Sequence, residues 1–318
     1  MKKSAFALAL ALYFLLTLTV SGASAGQVTI GFSNRTLDGP FFQALSAAIE
    51  EKGKALGYNM ILTDARTDFS KQISDVEDML VQNIDYLILN PQDPKASMQI
   101  IKRAQAVNVP VIIIDMSIGP AAGVLTRITG NNVDGNVLIG EYAVEQAGND
   151  PIKLSLVSFQ PGVIVTVERR DSFLAGIVSK QLRDKGSAKL EILTETFAGG
   201  TDEGGLKCVE DILTAYPETN TLYTDTSLQL RGMINALKAA GRQDVKVYSF
   251  DGAKFEYDYI KSGDLGATGE NSPFKLADMA FDVIDQHIKG ERVFPYHIAP
   301  KGLCVNKSNV EAAYNDGF

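Results

Sequence analysis

The sequence is poor in the side chains that bind metals or attack substrates. It has two cysteines and two histidines in 318 residues. Cys208, Cys304, His287 and His297 form no metal-ligand spacing, so neither a structural nor a catalytic metal is expected. The cysteines lie in apolar patterns, LKCVEDIL and GLCV, and two readings stay open for them: a disulfide in an oxidising compartment, or two buried thiols. Positive charge is also scarce. Lys and Arg number 30 against 38 Asp and Glu, a formal charge of −8, which argues against a nucleic-acid or anionic-membrane partner, because both need basic patches. No G-x-S-x-G nucleophile elbow occurs. The glycine-rich stretch FAGGTDEGGL (197–206) lacks both the Lys-Ser or Lys-Thr ending of a phosphate loop and the G-x-G-x-x-G spacing, and reads as a flexible loop. His287 falls on a polar helix face and His297 in a late connection, so neither reads as a catalytic base. These absences count against an enzyme, and no cofactor is expected.

One long apolar run is present. Lys2 and Lys3 precede residues 5–20, and Ala23-Ser24-Ala25 follows. That is the layout of a secretory signal peptide with an A-x-A cleavage site. A membrane anchor is the weaker reading, since the run is short. No cysteine follows it to carry a lipid. A soluble mature chain starting near Gly26, in the periplasm, is expected. No later window is apolar enough to span a bilayer.

With 45% hydrophobic residues, the remainder can build sizeable cores. Residues 28–45, VTIGFSNRTLDGPFFQAL, organise the pattern: a short buried strand (28–32), a polar loop, and a helix entered at Pro40, where a missing N–H costs nothing. Asp38 and Gly39 lie near the cap position. Phe41 and Phe42 are adjacent on that helix and point in different directions, so both rings cannot enter one core stripe. Core packing and stacking on a flat ligand face are both open for them.

Apolar runs at 59–64, 86–90, 111–115 and 125–129 then alternate with helical spacing at 69–83 and 94–107. The alternation restarts near residue 130, with strands at 154–159, 190–193, 221–224, 245–250 and 265–270. Helices fall at 133–147, 168–183, 202–216, 228–240, 255–262 and 273–289. Strand–helix alternation with short links implies right-handed βαβ units and parallel sheets. Some ten such units exceed one compact open sheet, and the restart implies two doubly wound α/β lobes. Several strands end on a polar residue (Asn90, Asp115, Asp251), at the carboxyl ends where open α/β sheets bind ligands. Arg169-Arg170 opens a helix at a similar junction; a solvated charge pair is the ordinary explanation, and the junction favours a functional role for one of the two.

With these strand ends in place, the chain resembles the bacterial periplasmic sugar-binding proteins of the ribose-binding type. The resemblance covers essentially the whole mature chain. It rests on GPFFQAL, LGYN, LILNPQDP, VPVIIID, ITGNN, ERRDSFLAG, LTAYPETNTLYT, ALKAAG, VYSFDG and ATGENSP, in that order. It implies two Rossmann-like doubly wound lobes (the periplasmic binding protein type 1 fold) joined by a three-strand hinge, with 26–130 plus 272–299 in one lobe and 131–271 plus 300–318 in the other. It further implies a monomeric component of an ABC importer that clamps a sugar or sugar alcohol, delivers it to a membrane permease and in some members signals to a chemoreceptor. Carried over residue by residue, Phe41 and Phe42 would stack on the ligand. Asn90, Asp115, Arg169, Asp251 and Asn271 would hydrogen-bond its hydroxyls. The family's asparagine before the next second-lobe helix falls on Thr226, beside Asp225. Met116 stands where ribose binders carry a second arginine. Gly39 stands where they carry an asparagine, with Asp38 adjacent, and the loop near Gly200 replaces an aromatic. These departures point away from ribose itself, and one cleft cation, Arg169, set against several aspartates favours a neutral ligand. Two other readings compete. An exported sugar-acting enzyme could use Asp115 and Asp251 as acid and base. A sugar-responsive transcription regulator would need a basic helix-turn-helix where this chain has an export signal.

Overall fold

The computed structural model describes residues 27–93, 97–116, 118 and 123–318; the expected signal peptide lies outside them. Strand and helix alternate as the apolar periodicity requires. The first sheet contains β1 (Thr29–Asn34), β2 (Asn59–Asp64), β3 (Tyr86–Leu89), β4 (Val111–Ile114), β5 (Val124–Ile128) and the two-residue β11 (His297–Ile298). The second contains β6 (Ile152–Ser158), β7 (Leu190–Phe197), β8 (Thr221–Thr224), β9 (Lys246–Asp251), β10 (Ala267–Glu270) and β12 (Cys304–Asn306). Their orders are β2-β1-β3-β4-β5-β11 and β7-β6-β8-β9-β10-β12. Position for position the two lobes repeat one doubly wound plan, and only the β10–β12 pair is antiparallel.

Every residue of β3, β4, β8 and β10 is buried, as strands covered on both faces must be. On the first sheet, α1 (Pro40–Ala55) and α9 (Pro273–Ile288) cover one face. The other face carries α2 (Phe69–Val81) and α3 (Met98–Ala106). On the second sheet, α4 (Asn132–Ala147) and α5 (Ile164–Lys185) cover one face. The opposite face carries α6 (Asp202–Ala215), α7 (Leu230–Ala239), α8 (Lys254–Ser262) and the short α10 (Val310–Ala313). Helix α9 therefore follows a strand of the second sheet yet packs its Leu276, Phe281 and Ile284 against Ile30 and Phe32 of the first. Helix α5 begins one turn before the expected start, at Ile164.

Three segments connect the sheets, at 129–131, 271–272 and 299–303, and they touch one another. Asn131 donates to the Pro300 carbonyl at 3.1 Å, and the Glu270 N–H to Leu303 O at 3.1 Å. Gly130 passes so close beneath the Asn271 side chain that a Cβ there would collide with it. Thr129 Oγ1 lies 2.7 Å from His297 Nε2, which places His297 at this junction. His287 bonds the Tyr86 hydroxyl at 2.8 Å. Cys208 and Cys304 are both free and belong to different apolar clusters, so they are unpaired thiols here, Cys304 buried and Cys208 only partly so.

Candidate functional site

Both sheets direct the carboxyl ends of their strands toward a shared cleft of about 270 Å³. Equivalent strands contribute equivalent residues. The fourth strands, β4 and β9, lead into Asp115 and end on Asp251, and both aspartates have positive φ, 69° and 149°. Non-glycine residues are rare there and persist only where the surroundings over-determine them. The positions just past β1 and β6 are Arg35 and Phe159. Past β5 and β10 come Gly130 and Asn271. All of these line the cleft.

Helix α1 enters the cleft wall through Gly39, whose φ of 97° and lack of a side-chain cap bond leave the cap position to glycine. Asp38 is exposed at the mouth. The rings of Phe41 and Phe42 meet edge to face at 5.5 Å and 86°. Both are half-buried and both face the cleft, and Phe41 also packs on the core of its lobe.

Arg169, on the second turn of α5, is only 8% exposed. Its guanidinium donates to Asp251 Oδ1 (2.8 Å), the Asp225 carbonyl (2.8 Å) and Asn132 Oδ1 (2.9 Å) and lies 4.3 Å from the Phe250 ring centroid. Asp251 Oδ2 accepts three more bonds, from the Thr226 hydroxyl (2.9 Å), the Ser227 N–H (2.8 Å) and the Ser227 hydroxyl (3.0 Å). Thr226 thus reaches the cleft while tying Asp251 to the start of the next helical turn. Arg170 points elsewhere, onto Glu195 at 3.0 Å.

Of the residues expected from sequence, Asp38, Phe41, Phe42, Asp115, Arg169, Thr226, Asp251 and Asn271 line this one cleft. Asn90 does not. It is fully buried behind the cleft wall, donating to Asn34 Oδ1 at 3.1 Å, while Asn34 in turn donates to the Phe42 carbonyl at 3.0 Å. Asn90 also supports the Asp115 carboxylate, whose pKa is pushed up to about 6. Burial is the main cause of that rise; the charges of Arg35 and Arg169 and the Asn90 hydrogen bond oppose it. Asp225 is raised for the same leading reason, burial, with the Phe159 N–H donating to its carboxylate at 2.8 Å.

Sequence reasoning missed three side chains here. Arg35 supplies a second guanidinium, 5.6 Å from the Phe42 ring centroid, and its buried Nε finds no acceptor among the described residues. The cleft therefore holds two arginines, not one. Phe159 supplies a second-lobe aromatic. A Cβ on Gly200 would stand 2.5 Å from its ring, so the glycine makes room for a ring arriving from the neighbouring strand. The signal for both was position, immediately past a buried strand. Phe318 also lines the cleft, and no local pattern marks it.

Residues 30–292 match the family described as "Periplasmic binding protein domain". The chain belongs to that family. It is 31% identical to the ribose import binding protein of Bacillus subtilis over 88% of each chain. It is 27% identical to the D-apiose import binding protein of Paraburkholderia graminis over 91% of this chain and 90% of that one. Among solved structures, a solute-binding protein of an ABC transporter from Mycobacterium smegmatis with bound glycerol superposes with a TM-score of 0.78. The two are 27% identical, over 91% of this chain and 97% of that one. These relatives are named as import or solute-binding proteins, and the fold shared with the solved structure agrees with the doubly wound α/β plan expected from sequence.

Proposed function

We propose that this member of the family is the solute-binding component of an ABC importer, holding one small neutral sugar or sugar alcohol between its lobes and delivering it to the membrane permease. The observation that carries this is the composition of the cleft: carboxylates and guanidinium groups from the strand ends of both sheets, set beside the flat faces of Phe41, Phe42 and Phe159. Sugar hydroxyls donate and accept, and ionised partners bond them more strongly than neutral ones do. Each such bond contributes about 1.5–3 kcal/mol. A few, with ring stacking, leave about −8 kcal/mol, or micromolar affinity, after association costs.

Four aspartates against two arginines favour a neutral ligand, the more so because Asp251 already engages Arg169. The names of the ribose and D-apiose relatives support a solute of similar size. The lobes are taken as 26–130 with 272–299, and 131–271 with 300–318, turning about the three connecting segments. Export by the leader would place this monomer in the periplasm, the setting of its family. Asp38, Phe41, Phe42, Asp115, Arg169, Thr226, Asp251 and Asn271 form the ligand site, with Asn90 holding Asp115 from behind.

The test is a thermal-shift and calorimetry panel on the processed protein: D-ribose, D-allose, erythritol, xylitol, myo-inositol, glycerol and sugar phosphates. A binder is stabilised by its ligand, so one or more neutral members should raise the melting temperature. Tightest binding by a phosphorylated member would refute the charge argument. No shift with any member would remove the sugar reading.

A further inference from the structure

Helix α10 is rooted in the second lobe, where Val310 and Ala313 are buried in the core beside Tyr257 and Ile260. From there the chain follows the second lobe to the cleft, which Phe318 lines. Tyr314 is held on the second lobe, by the Lys261 ammonium 3.8 Å from its ring centroid and by its hydroxyl donating to Asp258 at 3.2 Å. Asp316 then pairs at 2.9 Å with Lys275 of α9, which packs on the first lobe and also bonds Glu270 of β10 at 2.7 Å. Gly317 lies flat on Tyr257, where a Cβ would stand 2.6 Å from the ring. The Phe318 carbonyl accepts from the Lys254 N–H at 2.8 Å. Its ring meets Phe41, across the cleft, edge to face at 5.4 Å and 78°.

We propose that residues 314–318 form a strap whose backbone stays on the second lobe, that latches onto the first lobe through the side chains of Asp316 and Phe318 and supplies Phe318 as a further aromatic wall of the ligand site. The geometry assigns the two cross-lobe contacts separate roles. The Asp316–Lys275 pair is partly exposed and sets where the strap lies; such pairs add little binding energy of their own. The Phe318–Phe41 contact is apolar and orders a ring that the sequence reading has facing the solute. A solute enclosed by Phe41, Phe42 and Phe318 leaves only after the strap lifts, so the strap acts on dissociation more than on association. The solute part of this proposal rests on reading the cleft as a sugar site; the latch part does not.

Two measurements test it on the full chain, purified after export and processing. In the first, the panel sugars that bind the wild type are titrated into Phe318→Ala and Phe318→Leu. Affinity should fall roughly three- to tenfold for Phe318→Ala and less for Phe318→Leu, through a faster dissociation rate, with the unliganded melting temperature unchanged. In the second, X-ray scattering is recorded without any sugar on the wild type, Asp316→Asn and the Asp316→Asn/Phe318→Ala double variant. The double variant should show a larger radius of gyration, because both contacts of the strap with the first lobe are gone. Unchanged affinity in Phe318→Ala would overturn the site role, as would a fall in melting temperature with affinity intact. An unchanged radius would overturn the latch. If no panel member binds the wild type, the sugar reading fails first, and scattering alone then decides the latch.

Discussion

Asp115 and Asp251 hold equivalent positions in the two lobes, yet their surroundings give them opposite chemistry. Asp251 is saturated with donors. Removing its carboxylate would leave Arg169 buried without its ion-pair partner and the Thr226–Ser227 turn without its acceptor. Breaking a buried pair typically costs about 3–5 kcal/mol, so Asp251→Ala should lower both the melting temperature and the sugar affinity, as calorimetry and thermal denaturation would show together. A loss of affinity with the fold untouched would mean the carboxylate serves the ligand alone. Asp115 is poor in donors, and burial pushes its pKa from 3.8 up to about 6. The folded state thus holds its proton more tightly than the unfolded chain, and the fold gains stability as pH falls from about 6 toward 3.8. Above that window the ionised carboxylate works against the fold. Asp115→Asn should therefore stabilise the unliganded protein at pH 7–8 by on the order of 1–2 kcal/mol given the open cleft, seen as a higher melting temperature, with no difference below about pH 4. The same substitution should weaken sugar binding at neutral pH. Arg35 is the uncommitted cation, and Arg35→Ala should cost roughly tenfold or more in affinity for the best neutral panel member, a loss that Arg35→Lys restores only in part, because lysine lacks the planar fork.

At the scale of elements, most of the chain follows local rules that can be read without a structure. The run VIII of β4 and YLIL of β3 are fully buried because a strand covered on both faces has no solvent side to mark. Pro40 and Pro273 open α1 and α9 as the first-turn preference requires. The α4–α5 contact is a different matter. Gly140 and Gly176 let the two backbones approach so closely that a Cβ at either would collide with the Phe173 or Val137 carbonyl of the facing helix. Those atoms belong to helix backbones and cannot yield. Gly140→Ala, which in an exposed helix would be stabilising, should instead destabilise by about 1–3 kcal/mol, measured by denaturant unfolding. A neutral or stabilising result would show that the helices separate at little cost. The early start of α5 has no sharp sequence signal, since Val163 caps it without a side-chain bond.

At the scale of the whole molecule, the three connecting segments pass between lobes within hydrogen-bonding distance of one another, which confines relative motion to a few backbone dihedrals at 129–131, 271–272 and 299–303. Rotation there is the expected response to a solute bridging both walls. Scattering with and without a saturating panel sugar should show a smaller radius when bound, and an unchanged radius would sink closure while leaving binding intact.

The sequence by itself determined the two-lobed doubly wound plan, since apolar period and strand-end polarity are local properties repeated along the chain. It also pointed Asp115 and Asp251 at the cleft, because each stands at the carboxyl end of a buried strand, where open parallel sheets bind ligands; for Phe41, Phe42 and Arg169 the residues left two readings open, and the family resemblance supplied the cleft-facing one. Only the tertiary structure decided which residues behind or beyond those strand ends share the cleft. Asn90 recedes because its amide is tied to Asn34, which is itself bonded to the Phe42 carbonyl. Phe159 advances because Gly200, some forty residues away, leaves room for its ring. Arg35 enters because its neighbour across the cleft wall is Phe42 and no acceptor draws it elsewhere among the described residues. Phe318 joins Phe41 only because the segment after α10 is held on the second lobe with its last ring projecting toward the first. Arg35 and Phe159 carry one local sign, a place just past a buried strand; what fills the cleft around them, and the placing of Asn90 and Phe318, depends on packing that no local pattern carries.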